Sequence, residues 1–285
     1  LTCPGPNRSF GPEDVPAGLL PQTRIFHLGY PPLLERMYAE GGEALAEIMR
    51  TARESGATTS LDMSMPDPSR TAGHVDWRAI LGRALPWVDI FAPSAEELLF
   101  CLQPDRFAAL SQVCGNRSMI DLLSPEDLME LADISLGMGA RVALIKAGHR
   151  GSYLRTGDLE GDLGRGASID RSTWRNREIW APAYRVQVVT TTGAGDATVG
   201  AFLLAVLRAQ DPAQALNSAC AAGACACEAA DAVSGVRAWE EIQARLEESW
   251  SRIDPQLDPG LWQQDDELGV WYGPRDSRRA AARPG

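Results

Sequence analysis

The sequence predicts an α/β fold, a three-layer α/β/α sandwich in which helices cover both faces of a central, mostly parallel sheet. Three observations support this prediction. Strand-like apolar runs alternate with amphipathic, helix-like segments along most of the chain. The joints between them are short and are marked by Gly and Pro. With 285 residues, 45% of them hydrophobic, the chain is also long enough to bury a sizeable core.

The first half of the chain shows the alternation most clearly. A short strand is predicted at residues 24–30, and Pro31-Pro32 ends it. A helix is predicted next, because Ala44, Leu45, Ile48, Met49 and Ala52 fall at helical spacing, and Gly56 stands where it would stop. The segments that follow are TTSLDMS (strand), WRAILGRAL (helix), VDIFAP (strand), SAEELLFCL (helix, N-cap Ser94), SPEDLMELADISLGMG (helix) and RVALIKAG (strand).

The second half predicts a less regular order. GHRGSYLRTG reads as a hairpin, the polar stretch 158–177 as a surface loop, and REIWAPAYRVQVV as a strand that ends at Val188-Val189. Three helices follow, at 197–209, at 213 to about 230, and at WEEIQARLEESWSRI. The last residues, RRAAARPG, are expected to be disordered. We therefore predict one domain over residues 1–250 and a partly disordered C-terminal extension over 251–285.

Composition and charge exclude several classes of function. Lys and Arg total 27 against 38 Asp and Glu, and a net charge of −11 disfavours nucleic acid as a partner. No apolar run is long enough to span a membrane, and no secretory signal is visible. The six dispersed cysteines indicate reduced thiols in the cytoplasm. Cys220, Cys225 and Cys227 lie among small residues that suit a packed helix, without the spacing of a metal site.

One short stretch contains residues that could form a catalytic site. Gly193-Ala194-Gly195 forms a small-residue turn, Asp196 follows it, and an apolar helix begins there. Converging backbone N–H groups at a helix N-terminus suit an anion such as a phosphate, and a carboxylate beside them could take a proton from the group that attacks it. Phosphoryl transfer needs this combination. A turn in which Asp196 only caps a helix is the alternative, and a Walker A loop is excluded by its missing motif.

These residues resemble the ribokinase-like (PfkB) carbohydrate kinase family, whose signature reads roughly D-T-x-G-A-G-D and stands here as Thr190 to Asp196. The resemblance implies a ribokinase-like fold and transfer of the γ-phosphoryl group of ATP to a hydroxyl of a sugar or sugar-like substrate. It implies that Asp196 is the catalytic base, close to the substrate. It also implies that the amides of Gly193, Ala194, Gly195 and Asp196 form an anion hole.

Further segments match the family in order. IKAGHRGSYL implies that Lys146 and Gly148 lie near ATP, and NSACAAGACA implies the same for Cys220 and Gly223 beside the adenine. PSAEEL resembles a P-N-x-x-E motif, which implies that Glu97 serves Mg²⁺. Asn7 matches a G-x-N segment near the substrate. ATP and Mg²⁺ are the cofactors that the resemblance implies, and it is compatible with a homodimer in the cytoplasm.

The sequence also departs from the family pattern. Thr190 replaces the first Asp of the signature, and Ser94 replaces the Asn of the magnesium motif. The family's early strand with its acid, its G-G-x-x-x-N segment and its lid strands have no counterpart, so an N-terminally incomplete kinase domain is expected. The alternative function is a catalytically impaired nucleotide- or sugar-binding pseudokinase of the same fold.

Overall fold

The computed structural model describes residues 5–16, 18–167 and 169–281, and these divide into two compact units. Unit 1 takes in the described residues up to Ile145 together with Glu160–Ala167. Unit 2 takes in Lys146–Leu159 and the described residues from 169 onward. Within the described residues, no helix combines the length and the apolar composition that a membrane span requires.

Unit 1 is built on a parallel sheet. Strands β1, β2, β3 and β4 lie side by side in that order, with Ile25 opposite Thr58, Ser60 opposite Ile90, and Ile90 opposite Val142. The elements of this part of the chain are β1 (Ile25–Leu28), α1 (Glu35–Tyr38), α2 (Glu43–Glu54), β2 (Thr58–Leu61), α3 (Trp77–Ala84), β3 (Ile90–Phe91), α4 (Ala95–Leu102), α5 (Pro104–Cys114), α6 (Pro125–Gly137) and β4 (Val142–Lys146). The predicted α/β class and its parallel strands are confirmed here.

The helices of unit 1 have the apolar spacing and the capping residues that the sequence predicts. α2 buries Leu45, Ile48, Met49 and Ala52, the side chains that recur at helical spacing. The chain leaves α2 at Gly56, where φ is +86° and the Gly56 N–H donates a hydrogen bond to the Arg53 carbonyl. Ser94 and Ser124 cap α4 and α6, and each forms a capping box with the acid three residues later. α5 was not anticipated by the sequence analysis.

Unit 2 has an antiparallel ladder and a helical layer. β5 pairs with β6, β6 with β8, and β8 with β7, all antiparallel. α8 and α9 are packed against each other, and α9 is buried along nearly its whole length. The elements of this part are β5 (Ser152–Thr156), α7 (Arg171–Trp174), β6 (Glu178–Ala181), α8 (Ala194–Leu207), α9 (Pro212–Ala226), α10 (Trp239–Glu247), β7 (Gln263–Asp265), β8 (Val270–Tyr272) and α11 (Ser277–Ala281).

The strand predicted to end at Val188-Val189 is wrong in its second half. β6 ends at Ala181, and Pro182, which has no N–H to donate, follows it. The chain from 182 to 193 is irregular, with one isolated bridge between Tyr184 and Arg252. The side chains of Val188 and Val189 are 59% and 57% exposed. Apolar β-branched composition was therefore a poor guide here, because no strand in the described part of the chain pairs with Val188 and Val189.

The C-terminal residues complete the sheet of unit 2. α10 ends at Glu247, earlier than predicted, and residues 251–253 run beside 183–185 through backbone hydrogen bonds. β8 then pairs with β6, and Asp276 lies buried against Arg177 with Nε and Oδ2 2.9 Å apart. The buried carboxylate of Glu178 accepts hydrogen bonds from Tyr153 and Arg275. Of the extension predicted to be partly disordered, residues 282–285 lie outside the described residues.

Candidate active site

The turn before α8 has a defined backbone geometry. Gly193 is the N-cap, with φ +81° and ψ −7°, a left-handed conformation that favours glycine. A methyl group at this position would lie 2.5 Å from the Ala232 carbonyl oxygen. The Ala194 N–H donates to the Thr191 carbonyl at 3.2 Å, and the Ala197 N–H donates to the Gly193 carbonyl at 2.9 Å. The small-residue turn identified in the sequence is thus a tight entry into the helix.

Two backbone donors in this turn are available. Among the described residues, the N–H groups of Gly193 and Gly195 have no hydrogen-bond acceptor. The Ala194 amide, which the sequence analysis included in the anion hole, is already engaged by Thr191. Unpaired N–H groups at a helix N-terminus carry partial positive charge and favour a bound anion.

Lys146 adds a full positive charge beside the same turn. A methyl group placed on Gly195 would lie 3.6 Å from Nζ, 3.8 Å from Cδ and 3.9 Å from Cε of Lys146, all ordinary van der Waals distances. The side chain of Lys146, the last residue of β4, therefore runs along the first turn of α8. An ammonium group and backbone amides at one place are suited to hold a phosphate.

Asp196 lies in that first turn, with an exposed side chain. The N-cap of α8 is Gly193, so Asp196 does not fill the N-cap position that the alternative interpretation gave it. An acid in the first turn interacts favourably with the helix dipole. Its exposure leaves it accessible to a substrate from solvent.

The preceding threonines form a turn of their own. The Thr190 hydroxyl accepts a hydrogen bond from the Thr192 N–H and donates to the Thr192 hydroxyl. The N–H groups of Val189 and Thr190 both point to the Cys227 carbonyl, at 2.8 and 3.4 Å. Thr190 thus serves the turn as a short hydrogen-bonding residue where the family signature has a carboxylate.

Cys220 and Gly223 are buried in packing. The Cys220 side chain faces Ala181 and Ser152 inside unit 2, and burial raises the pKa of its thiol. Gly223 allows α9 to approach α8, since a methyl group there would collide with the Thr198 hydroxyl. The structure thus describes both residues by their packing, and their place beside the adenine stays a prediction.

Gly148 and the residues of unit 1 were also singled out. Gly148 is exposed in a 3-10 turn (Gly148–Arg150) that follows β4. In unit 1, Glu97 Oε2 accepts a hydrogen bond from the Ser94 N–H at 2.7 Å, which closes the capping box of α4. Asn7 is exposed in a 3-10 helix, Gly5–Arg8. Asp67 accepts hydrogen bonds from the N–H and the hydroxyl of Ser69 in an exposed turn.

The segment from Glu228 to Arg237 was not predicted to belong to the site. Ala232 packs against Gly193, and Asp231 organises the turn that carries Ala232. Hydrogen bonds from Ser234 and Val233 lower the pKa of Asp231 to about 2. The sequence signal was the D-x-x-S spacing of Asp231 and Ser234, which is typical of a side-chain-stabilised turn.

Comparison with known proteins assigns the family. The model of the pfkB family of carbohydrate kinases matches residues 2–239. This chain belongs to that family. An uncharacterized sugar kinase from Archaeoglobus fulgidus is 30% identical over 96 residues, which are 34% of this chain and 31% of that protein. The predicted resemblance is confirmed.

Solved structures of similar fold are also kinases. Ribokinase from Thermotoga maritima has a TM-score of 0.56 and 21% identity, covering 87% of this chain and 65% of that one. Aminoimidazole riboside kinase from Salmonella enterica, complexed with aminoimidazole riboside and an ATP analog, has a TM-score of 0.55 and 23% identity, covering 82% and 66%. Fructokinase with bound ATP from Xylella fastidiosa has a TM-score of 0.57 and 20% identity, covering 84% and 66%. The match thus takes in about a third of the length of the curated sugar kinase and about two-thirds of each structure. The ribokinase-like fold is confirmed.

Proposed function

We propose that this pfkB family member transfers the γ-phosphoryl group of ATP to a hydroxyl of a sugar or sugar-like substrate. One observation carries the proposal. The first turn of α8 brings together the N–H groups of Gly193 and Gly195, which have no acceptor among the described residues, the ammonium group of Lys146 and the exposed carboxylate of Asp196. These are the donors, the positive charge and the base that phosphoryl transfer requires.

The phosphate end of ATP fits this place. Gly195 has no side chain, and the space that a Cβ would fill lies directly beside Lys146 Nζ. A phosphoryl oxygen there could accept hydrogen bonds from the backbone and from the ammonium group together. The structures of the Salmonella and Xylella kinases hold an ATP analog and ATP, which supports the choice of nucleotide. Gly148, exposed after β4, is available to the same ligand.

Asp196 has the chemistry of the general base. Its carboxylate would take the proton of the acceptor hydroxyl as that oxygen forms a bond to the γ-phosphorus. The bond between the γ-phosphorus and the bridging oxygen then breaks, and ADP leaves with that electron pair. Gly193, Gly195 and Lys146 stabilise the negative charge on the equatorial oxygens during transfer.

In this proposal the carboxylate of Glu97 would help to bind Mg²⁺. A carboxylate oxygen is the kind of group that Mg²⁺ and its bound waters contact, and Glu97 places one in the first turn of α4. Magnesium, when bound with the nucleotide, neutralises phosphate charge. A ribokinase II from E. coli is described in complex with ATP and Mg²⁺, which supports this choice of metal. Asn7, in unit 1, is the proposed contact to the acceptor.

Two substitutions in α8 test the phosphate site without disturbing the fold. Gly195→Ala adds a methyl group whose nearest neighbour is 3.6 Å away, so it fits sterically but fills the phosphate position. Gly200→Ala, the matched control, adds the same methyl group to the same helix where nothing lies within 4 Å. We expect only Gly195→Ala to lose ATP binding, measured by calorimetry. Equal ATP affinity in the two variants would contradict the proposed site.

The catalytic role of Asp196 is tested by Asp196→Asn. Because the Asp196 side chain is exposed, the substitution should leave the fold intact. ATP binding should therefore persist, while turnover falls by about 10²-fold or more. ATP consumption against a panel of sugars and nucleosides is the assay. A variant with the parental kcat would refute the base assignment.

Thr190 favours one alternative function. The hydroxyl at this position satisfies its own turn and brings no carboxylate. A nucleotide- or sugar-binding pseudokinase of the same fold would bind ATP at the same turn without turnover. The same panel distinguishes the two functions, because ATP binding with no consumption on any acceptor supports the pseudokinase. The cytoplasmic location and the homodimer stay predictions.

A further inference from the structure

The turn before α8 is backed by a second loop of unit 2. A methyl group on Gly193 would lie 2.5, 2.7 and 2.9 Å from the carbonyl O, Cα and Cβ of Ala232, and these are its three nearest atoms. Gly193 therefore packs directly against Ala232. Any displacement of Ala232 removes the restraint on the backbone of Gly193.

Asp231 fixes the position of Ala232. Its Oδ1 accepts hydrogen bonds from the N–H groups of Val233 (2.9 Å) and Ser234 (2.7 Å). Its Oδ2 accepts a third from the Ser234 hydroxyl at 2.6 Å. Three hydrogen bonds to one ionised side chain hold both sides of Ala232 in a single turn.

The same loop is attached to the end of α9. A methyl group on Gly235 would lie 2.6 Å from the Cys225 carbonyl oxygen and 2.8 Å from Ala226. The carbonyl oxygen of Cys227, just beyond the end of α9, accepts a hydrogen bond from the N–H of Val189. The segment from Val189 to Gly193 is thus held between the end of α9 and the Asp231 turn.

We infer that Asp231 is a positioning residue of the phosphate site, acting through Ala232 on the direction of the Gly193 and Gly195 N–H groups. The inference rests on the proposed function for the identity of the ligand. The hydrogen bonds that Asp231 makes with the described residues are all within its own turn, and Ala232 transmits the restraint. Oriented donors bind and stabilise charge better than mobile ones, because no reorganisation is needed when the anion arrives.

The test compares three variants. Asp231→Ala removes both acceptor oxygens and all three hydrogen bonds, whereas Asp231→Asn keeps an oxygen for the two backbone amides. Asp170→Ala is the matched control, since Asp170 also accepts from a backbone N–H and a hydroxyl, both of Ser172, at the start of α7. Four quantities are measured: affinity for inorganic phosphate, hydrogen exchange of the amides of Ala194 and Ala197, kcat/KM for ATP, and the KM for the acceptor.

In Asp231→Ala we expect phosphate affinity and kcat/KM for ATP to fall by about tenfold or more, with the KM for the acceptor unchanged. Exchange of the Ala194 and Ala197 amides, whose acceptors are Thr191 and Gly193, should rise by about tenfold. Asp231→Asn should restore most of these values, and Asp170→Ala should leave them unchanged.

Two outcomes overturn the inference. Parental phosphate affinity and parental amide exchange in Asp231→Ala would show that Asp231 does not position the turn. A loss of phosphate affinity equal in Asp231→Ala and Asp170→Ala would show general destabilisation instead. If the parent chain binds no phosphate, the proposed function fails and the phosphate role of Asp231 fails with it. Amide exchange then still reports whether Asp231 orders the turn, so the two failures are distinguishable.

Discussion

Removal of the Asp276 carboxylate should destabilise unit 2 strongly. Asp276 is 1% exposed, and its Oδ2 accepts hydrogen bonds from Arg177 Nε at 2.9 Å and from the Glu178 N–H at 2.8 Å. Its Oδ1 accepts a third from the Arg278 N–H at 2.9 Å. Asp276→Ala would leave the guanidinium of Arg177, itself 1% exposed, buried without its counter-charge. An uncompensated buried charge costs about 3–5 kcal/mol.

The size of this effect makes it measurable. With a urea m-value of about 2 kcal/mol/M, a loss of that size lowers the unfolding midpoint by about 2 M. Tryptophan fluorescence is suited to the assay, because six of the eight tryptophans lie in unit 2. Asp254→Ala is the control, since Asp254 is exposed and accepts only one hydrogen bond that the structure describes, from Gln256.

A double-mutant cycle isolates the pair. Arg177→Met with Asp276→Ala removes both charges, and we expect the double variant to be more stable than Asp276→Ala alone. The remaining hydrogen bond from Arg177 Nη1 to the Thr173 carbonyl is lost as well, so full recovery is not expected. A loss below about 1 kcal/mol in Asp276→Ala would refute the reasoning, because that is the range of exposed ion pairs.

Three further predictions concern local structure. Gly193→Ala should lower the free energy of unfolding by about 2 kcal/mol or more, because the φ of Gly193 is +81° and the backbone of Ala232 lies close to it. Gly200→Ala should raise the free energy of unfolding by up to about 1 kcal/mol, so similar urea midpoints for the two variants would contradict this prediction. Ser94→Ala should lose about 1 kcal/mol by removing the N-cap of α4, and an unchanged thermal unfolding temperature would count against that cap. The hydrogen bonds from Arg245 hold the pKa of Glu228 below its usual value, so their stabilisation is present above about pH 4.5 and is lost as the pH falls through the lowered pKa. The unfolding free energy of the parent should therefore fall more steeply below pH 5 than that of Glu228→Gln, and parallel curves would exclude the effect.

The parallel half of the fold could be predicted from the sequence because its signals are local. The apolar spacing of α2, the serines that cap α4 and α6, and the glycine that ends α2 each act within one or two turns of helix. The signature from Thr190 to Asp196 likewise specified a turn and a helix start, and the structure has both there. Short-range patterns of this kind need no partner from elsewhere in the chain.

The features that the sequence could not predict depend on distant partners. β8 pairs with β6, with Trp271 opposite Trp180, and the sequence between them does not indicate which distant strand the C-terminal residues will join. Val188 and Val189 have strand composition, yet both are exposed and no strand of the described residues pairs with them. The place of Cys220 and Gly223 beside the adenine stays a prediction, because a small-residue pattern is the same in a helix that lines a ligand and in one that packs against another helix.

The pairing of β6 with β8 has a consequence for biosynthesis. About 90 residues separate Trp180 from its partner Trp271, and at roughly 5–20 residues per second the ribosome needs about 5–20 seconds to make them. During that time the open edge of β6 is a site where a nascent chain could pair wrongly with another. Slow translation of the region between these tryptophans should therefore lower the yield of correctly folded protein, and chaperones that shield strand edges should restore it.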